Sequence, residues 1–414
     1  MKLAIVAIGT RGDVEPHAAL CAGLRRAGFD ARLCAPEDMA PFIEELGIPF
    51  DSIPVSFRQL CGTGDGGALL GSGDNGAGFL KRLHRLAKSA AERTIEGIRA
   101  ACDRADAVCY SPLGLPARYF AAERGIPSFA TALQPLGRTG EIPHPMLGLP
   151  HWSPSFVHAC SYRLIEQLFW QVARPLLQSH LSHRLRLRGD FNELYRQPRP
   201  ALFGYSPHVV ARPRDWKPWM HATGYWTGLN SVWRPPAGLE DFLKEGPAVC
   251  IGFGSMNTRR IARIMDETLE AVRVTRRRAV VLTGWSDYSG SADGRQGDLF
   301  FAKAVPHGWL FPRVTAVVSH GGAGTVAAAL RAGVPSVVLP FFFDQGFWGR
   351  WLVGQGLGPP PLPFHRLNAR AVAGALDQAT RCEGIQGRLR ALAAKLREED
   401  GVGRAVSILS EALC

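Results

Sequence analysis

The chain has 414 residues, enough for two domains of ordinary size, and its 46% hydrophobic and 20% charged content excludes wholesale disorder. Its formal net charge of +12 admits nucleic acid, an acidic small molecule or an anionic lipid surface as partner. Nucleic acid is disfavoured, because the basic residues are spread through helices such as Lys81-Arg82-Leu83-His84-Arg85 and Leu185-Arg186-Leu187-Arg188 without a stacking module. No apolar run reaches the roughly 18–20 residues that cross a bilayer. The nine cysteines include no Cys-x-x-Cys pair, and no histidine cluster has ligand spacing. That usage suits a reducing cytosol and points to no metal site.

Residues 2–8 form a compact apolar run. It lacks a small-residue cleavage site and leads straight into Thr10-Arg11-Gly12-Asp13, so it reads as a first strand rather than a leader. Gly9 to Asp13 is a turn, and Pro16 to Ala27 has helical spacing up to Gly28. A strand at Ala31–Ala35 and a helix from Glu37 to Leu46 follow. This β-α-β-α alternation is the pattern of a parallel sheet wrapped by helices. Residues 56–78 are too glycine-rich for regular structure and read as a long loop. Next come a helix over about 79–103, a strand at Ala107–Tyr110, a helix around 115–124 and a strand from Pro127 to Ala132. Residues 135–155 are irregular. A long amphipathic segment is expected from Phe156 to about Leu187, its basic end near Leu181 to Arg188 being a solvated face or a weak membrane contact.

Prolines and tryptophans crowd residues 213–240 without a period, which reads as an interdomain linker. The alternation then restarts with strands at Ala248–Phe253, Ala279–Thr283, Leu299–Phe301, Thr315–Val318 and Ser336–Leu339, and three helices close the chain. The domains expected are 1–215, a linker over 216–240, and 241–395, with a C-terminal helix over 396–414 packing back on the first domain. Ligands of such sheets bind beyond the carboxyl ends of the strands.

Val318-Ser319-His320-Gly321-Gly322-Ala323-Gly324-Thr325 reads as strand end, glycine turn and first helical turn. Such a turn aims free N–H groups and a positive dipole end at an anion. Gly252-Phe253-Gly254-Ser255-Met256 is a second turn of this kind, and two in one half suit a diphosphate. Asp344 and Gln345 follow another strand and could hydrogen-bond vicinal sugar hydroxyls, or Asp344 could simply cap a helix. Asp13, at the end of the first strand, could take a proton from a hydroxyl or could bond the following helix. No Asp-x-Asp occurs, so paired carboxylates holding a metal–diphosphate are not expected.

Several blocks resemble a known family. Val305-Pro306-His307-Gly308-Trp309-Leu310-Phe311-Pro312, then Ser319 to Thr325, Gly333-Val334-Pro335, and Pro340-Phe341-Phe342-Phe343-Asp344-Gln345-Gly346-Phe347-Trp348-Gly349-Arg350 resemble the nucleotide-sugar half of GT-B glycosyltransferases. Gly9-Thr10-Arg11-Gly12-Asp13-Val14-Glu15-Pro16 resembles the opening of the sterol glucosyltransferase and bacterial antibiotic glycosyltransferase subgroup. The resemblance implies two Rossmann-like α/β domains facing across a deep cleft. It implies that His320, Thr325, the amides of Gly322, Ala323 and Gly324, and Ser255 bind the donor diphosphate. Asp344 and Gln345 would bind the sugar, and Trp285, His307 and Trp309 would lie near the base and ribose. Asp13 would be the general base of an inverting transfer, with Arg11, Gly12, His17 and Gln134 on the acceptor side and no metal or cofactor. Two departures stand out: Ser319 replaces a frequent histidine, and Gly346 replaces the usual proline.

The donor implied is a UDP- or dTDP-sugar, UDP-glucose by default. The acceptor implied is a lipophilic natural product (a macrolide, polyketide or peptide aglycone), with a sterol or lipid as the alternative. A non-catalytic nucleotide-sugar or lipid-binding protein on the same scaffold is the competitor from another class. A dinucleotide-linked enzyme is disfavoured because Gly9-Thr10-Arg11-Gly12 is not Gly-x-Gly-x-x-Gly.

Overall fold

A computed structural model describes residues 1–62, 77–182, 186–189, 191, 199–229, 233–254, 260–284 and 294–413. Its contacts divide the chain into two units. The first contains Met1–Leu60, Gly76–Ser231 and Glu399–Cys414, and the second contains Val232–Glu398.

The first unit is built on seven strands: β1 (Lys2–Val6), β2 (Asp30–Pro36), β3 (Phe50–Ile53), β4 (Ala107–Tyr110), β5 (Ser128–Ala132), β6 (Ala201–Phe203) and β7 (Met220–Ala222). They lie in the order β3-β2-β1-β4-β5-β6-β7, every neighbouring pair parallel. Leu3 of β1 pairs with Ala31 on one side and Ala107 on the other. Leu3, Ala4, Ile5 and Val6 are all buried. A central parallel strand is covered on both faces, which is why its sequence is a continuous apolar run.

The helix after β1 spans Arg11–Arg26, so it starts five residues before the expected Pro16. Pro16 lies inside it. The start is set by Thr10 and Asp13, spaced as a capping box. The helix Gly401–Leu413 packs on it at Gly23, where a β-carbon would sit 2.3 Å from Val402 Cγ1. Only glycine permits that approach.

The tryptophan-rich stretch read as a linker from 216 contributes to this unit's core. β7 forms the sheet edge, and Trp216 and Trp226 are buried. The Trp216 indole donates to Gly137 O at 3.2 Å and that of Trp226 to Thr223 Oγ1 at 2.9 Å. Aromatics without a period look irregular in sequence, yet each fills a separate gap. The amphipathic segment forms a helix over Ser155–Gln178 and stops nine residues short of the expected end. The expected loop at 56–78 opens with a short helix at Phe57–Gly62, and the next helix begins at Ala77.

The second unit holds β8 (Ala248–Gly252), β9 (Arg278–Leu282), β10 (Gly294–Gln296), β11 (Leu299–Ala302), β12 (Val317–Ser319) and β13 (Ser336–Val338), in the order β10-β11-β9-β8-β12-β13. Only β10 runs antiparallel to its neighbour. From β8 the chain passes first to β9 on one side and later to β12 on the other. The order therefore reverses between β8 and β12, and ligands of open α/β sheets bind at such a point.

Candidate functional site

At the reversal point of the second unit three strand ends converge. β12 runs into His320 and Gly321, and Gly322 caps the helix Ala323–Ala332. Gly321 has φ 82°, and a β-carbon there would lie 2.4 Å from Val338 Cγ1. A β-carbon on Gly322 would lie 2.5 Å from His320 Nε2, so the imidazole is folded over the cap residue. After β8 comes Gly254 (φ 60°), whose β-carbon position is 3.5 Å from His320 Cε1. Gly284, after β9, also has φ 60°, and a β-carbon there would strike Gly254 O at 2.3 Å. Glycine is thus demanded by positive φ at Gly254, Gly284 and Gly321 and by close contact at Gly284, Gly321 and Gly322.

His320 Nδ1 is sealed from solvent and has no hydrogen-bond partner. Burial, and secondarily the nearby His307, push its pKa down to about 4. The ring is therefore neutral at neutral pH and acts through hydrogen bonding rather than fixed charge. No side chain caps the helix that begins beside it. Its first-turn residues Ala323, Gly324 and Thr325 are half-buried or exposed. An uncapped helix N-terminus with its positive dipole end has the chemistry to meet an anion. Ser319 is buried, and its Oγ accepts from Gly321 N at 3.3 Å. It shapes the turn.

Asp344 and Gln345 open the helix Gln345–Gly354, and both have internal partners. The Trp348 indole donates to Asp344 Oδ2 at 2.9 Å. Gln345 is buried, and its Oε1 accepts from the backbone N–H of Phe341 at 2.8 Å and Phe342 at 3.3 Å. Gln345 therefore braces the loop that carries Phe343, a bulky residue at φ 51°. Asp344 makes no side-chain cap. The Arg350 side chain folds back on Gly346, with Nη1 3.1 Å from where a β-carbon would be. A β-carbon there would meet only the far end of that flexible side chain. Arg350 is half-buried, and desolvation lowers its pKa.

His307 stacks on Phe311, centroids 4.4 Å apart and 14° from parallel. Trp309 packs on Trp233 at 5.1 Å, with the Arg313 guanidinium 4.4 Å over its ring. Ser255 and Trp285 lie outside the described residues.

In the first unit, Asp13 is half-buried within the first turn of the helix Arg11–Arg26. Its Oδ2 accepts from Thr10 N at 3.0 Å and Thr10 Oγ1 at 3.4 Å, and it lies over Gly9, where a β-carbon would come within 2.2 Å. Gly12 is exposed, and a β-carbon there would meet only Thr10 Oγ1, at 3.9 Å. Gln134 is half-buried just beyond β5. Arg11 is exposed, pairs with Glu15 at 2.9 Å and lies 4.4 Å over the Phe42 ring.

His17, expected on the acceptor side, is enclosed within the first unit. It is only 1% exposed. Its Nδ1 donates to Asp13 O at 2.7 Å, and its Nε2 accepts from Thr131 Oγ1 at 2.8 Å. The ring meets Trp226 edge-on, and burial pushes its pKa down to about 4. His17 is a neutral internal strut that fixes the turn bearing Asp13. Neither Thr131 nor Trp226 could be linked to it by spacing.

Among the described residues no group of three His, Cys, Asp or Glu side chains could hold a metal ion. Cys21, Cys102, Cys109 and Cys250 are buried free thiols pushed up to about 12 by burial, so they are unreactive. No helix of the described residues is long and apolar enough to cross a membrane.

Two Rossmann-like parallel-sheet domains, the second with a glycine-lined helix N-terminus at its reversal point, define the GT-B class of fold. Solved structures agree. The glycotransferase of kitacinnamycin superposes with a TM-score of 0.70 at 18% identity, covering 100% of this chain and 99% of that one. A Streptomyces sp. SF2575 glycosyltransferase complexed with thymidine diphosphate gives 0.65 at 19% identity, with 99% of each chain covered. The family profile of the glycosyltransferase family 28 N-terminal domain matches residues 3–131. That of the erythromycin biosynthesis protein CIII-like C-terminal domain matches 297–403. A sterol 3-beta-glucosyltransferase of Arabidopsis thaliana is 31% identical over 98% of this chain and 67% of its own length. One of Cryptococcus neoformans is 31% identical over 99% of this chain. The chain spans 27% of the length of that fungal relative. The chain belongs to the GT-B glycosyltransferases of the family 1 type.

Proposed function

We propose that this protein moves a hexose from a nucleoside-diphosphate sugar to a hydroxyl of a lipophilic acceptor, with inversion at the anomeric carbon. The second unit takes the donor and the first unit takes the acceptor. The observation that supports this most is the uncapped helix N-terminus at Gly322–Thr325 beside the unpartnered Nδ1 of His320. Those groups suit a diphosphate without paired carboxylates or a metal. Thr325 adds a hydroxyl, Asp344 and Gln345 address the sugar, and His307 and Trp309 lie toward the base and ribose.

In the reaction, Asp13 takes the proton of the acceptor hydroxyl. The oxygen attacks the anomeric carbon in line as the bond to the diphosphate breaks, and the diphosphate leaves with the electron pair. Positive charge develops on the sugar ring and negative charge on the leaving group. The helix terminus and His320 stabilise the latter. Gly12 and Gln134 are the remaining acceptor-side contacts, with Arg11 at the rim.

UDP-glucose is the first donor to test. The thymidine diphosphate in the Streptomyces neighbour supports dTDP-sugars as the second. The relatives named as sterol 3-beta-glucosyltransferases favour a sterol acceptor over a macrolide, polyketide or peptide aglycone. Incubation with UDP- and dTDP-sugars against a panel of sterols and other lipophilic alcohols, read by mass, tests the proposal. A hexose-sized mass gain on one acceptor supports it. Nucleotide binding without transfer to any acceptor and without donor hydrolysis would favour a non-catalytic binding protein.

A further inference from the structure

Among the described residues two that are not glycine adopt positive φ, Arg276 at 49° and Phe343 at 51°. Arg276 has an ordinary reason. It follows the helix Ile261–Val274, and bonds from Arg276 N to Arg273 O at 3.1 Å and from Arg277 N to Val272 O at 3.0 Å close that helix in a left-handed turn. Phe343 has no reason of this kind, because it precedes a helix, Gln345–Gly354, and does not end one. Glycine would hold the same backbone without steric cost, so what phenylalanine adds in exchange for the strain is its ring. Strain kept at one residue points to a use for that residue.

The ring is presented to the outside. Phe341 and Phe342 are half-buried, whereas Phe343 is 38% exposed, its ring edge-on to Phe342 at 4.7 Å. The backbone on both sides of it is held. Gln345 Oε1 accepts from the amides of Phe341 and Phe342, and the Phe341 ring meets Phe253 edge-on at 6.0 Å. Phe253 lies between Gly252 and Gly254, in the turn after β8. On the other side, a β-carbon on Gly321 would lie 3.3 Å from Gln345 O. The loop bearing Phe343 is therefore built against both the turn after β8 and the turn that carries His320.

We propose that Phe343 is a donor-specificity residue whose ring packs on the C–H face of the transferred hexose. A pyranose offers C–H groups as well as hydroxyls. Asp344 and Gln345 can address only the hydroxyls, and one oxygen of each is already engaged, Asp344 Oδ2 by the Trp348 indole and Gln345 Oε1 by the loop amides. An exposed aromatic ring beside them takes the sugar's apolar surface out of water. The inference rests on the second unit binding a nucleotide sugar, and it adds a contact that a free nucleoside diphosphate cannot make.

Calorimetric titration of UDP and UDP-glucose, and of dTDP and dTDP-glucose, into the full chain and three variants tests it. Phe343→Gly and Phe343→Ala should weaken the nucleotide sugar that the parent binds about five- to tenfold and leave its free nucleotide unchanged. Phe343→Tyr, which keeps the ring, should bind as the parent does. Phe343→Gly should also melt higher than Phe343→Ala, because only glycine relieves the left-handed backbone. Equal melting would overturn the strain on which the proposal stands. A residue that merely shapes the loop would move nucleotide and nucleotide sugar together, and that result overturns the proposal. Unchanged nucleotide-sugar affinity in the folded glycine and alanine variants also overturns it, a raised acceptor KM then assigning the ring to the acceptor. A parent that binds neither nucleotide would fail the donor-site reading itself and take this inference with it.

Discussion

Two turns of the same design behave in opposite ways. Each joins the end of a central parallel strand to a helix: β1 to Arg11–Arg26 in the first unit, β12 to Ala323–Ala332 in the second. In the first, Asp13 folds back on Thr10 and satisfies its amide and hydroxyl, and His17 bonds on both ring nitrogens. In the second, the cap is Gly322, no side chain closes the helix, and His320 Nδ1 has no partner. A turn that satisfies itself holds a group in place. A turn that leaves polar groups unmet has room for a ligand to satisfy them, each such group carrying a cost of roughly 1–3 kcal/mol. The contrast matches the proposed division of roles, a base held in the first unit and a diphosphate held in the second.

Asp13→Asn attacks the first turn most directly. The amide keeps an oxygen to accept from Thr10 but cannot take a proton. Turnover should fall by about 10²–10⁴, while nucleotide affinity and melting temperature stay near those of the parent. Retained turnover would remove Asp13 from the base role. Gly321→Ala attacks the second turn. It forces a side chain into φ 82° and against Val338, and a loss of about 2–4 kcal/mol in denaturant unfolding is expected. A variant as stable as the parent would show that the turn is not held as described.

Buried histidines give the next effect. His17 and His144 are both buried, and burial lowers their pKa from 6.5 to about 4. The unfolded chain therefore binds their protons first as pH falls. Their contribution is fully present above about 6.5, is lost through the interval down to about 4, and amounts to roughly 3 kcal/mol for each. Unfolding free energy followed across that interval should fall steeply, and His17→Gln should remove about one proton from the slope. An unchanged slope would mean that His17 titrates normally. The smallest effect belongs to Thr325→Val, which deletes one hydroxyl and should weaken nucleotide binding by about 1 kcal/mol, roughly fivefold. Unaltered affinity would take Thr325 off the phosphate.

Much of the scaffold was legible because its central strands are short apolar runs between turn residues. β1, β8 and β12 are examples, and the glycines at 321 and 322 mark the turn from β12 into the helix Ala323–Ala332. Other features were hidden for physical reasons. β6 and β7 have three residues each, too few to show a period, and β7 lies within a tryptophan-rich stretch that looks like a linker. Pro16 looks like a helix opener, whereas Thr10 and Asp13 set the start at Arg11. At the site, position along the chain separated strand ends from everything else but could not reveal surroundings. His17 sits beside Asp13 in sequence, yet its role comes from Thr131, 114 residues away. Gln345 stands beside Asp344, yet its oxygen is committed to the amides of Phe341 and Phe342.

The central claim is that the turn at His320 grips the donor's diphosphate, and calorimetric titration of UDP into the protein and into His320→Ala tests it most directly. The account predicts saturable binding to the parent and at least about tenfold weaker binding to the variant, roughly 1.4 kcal/mol, with both proteins equally folded. Equal affinity in the two would contradict it.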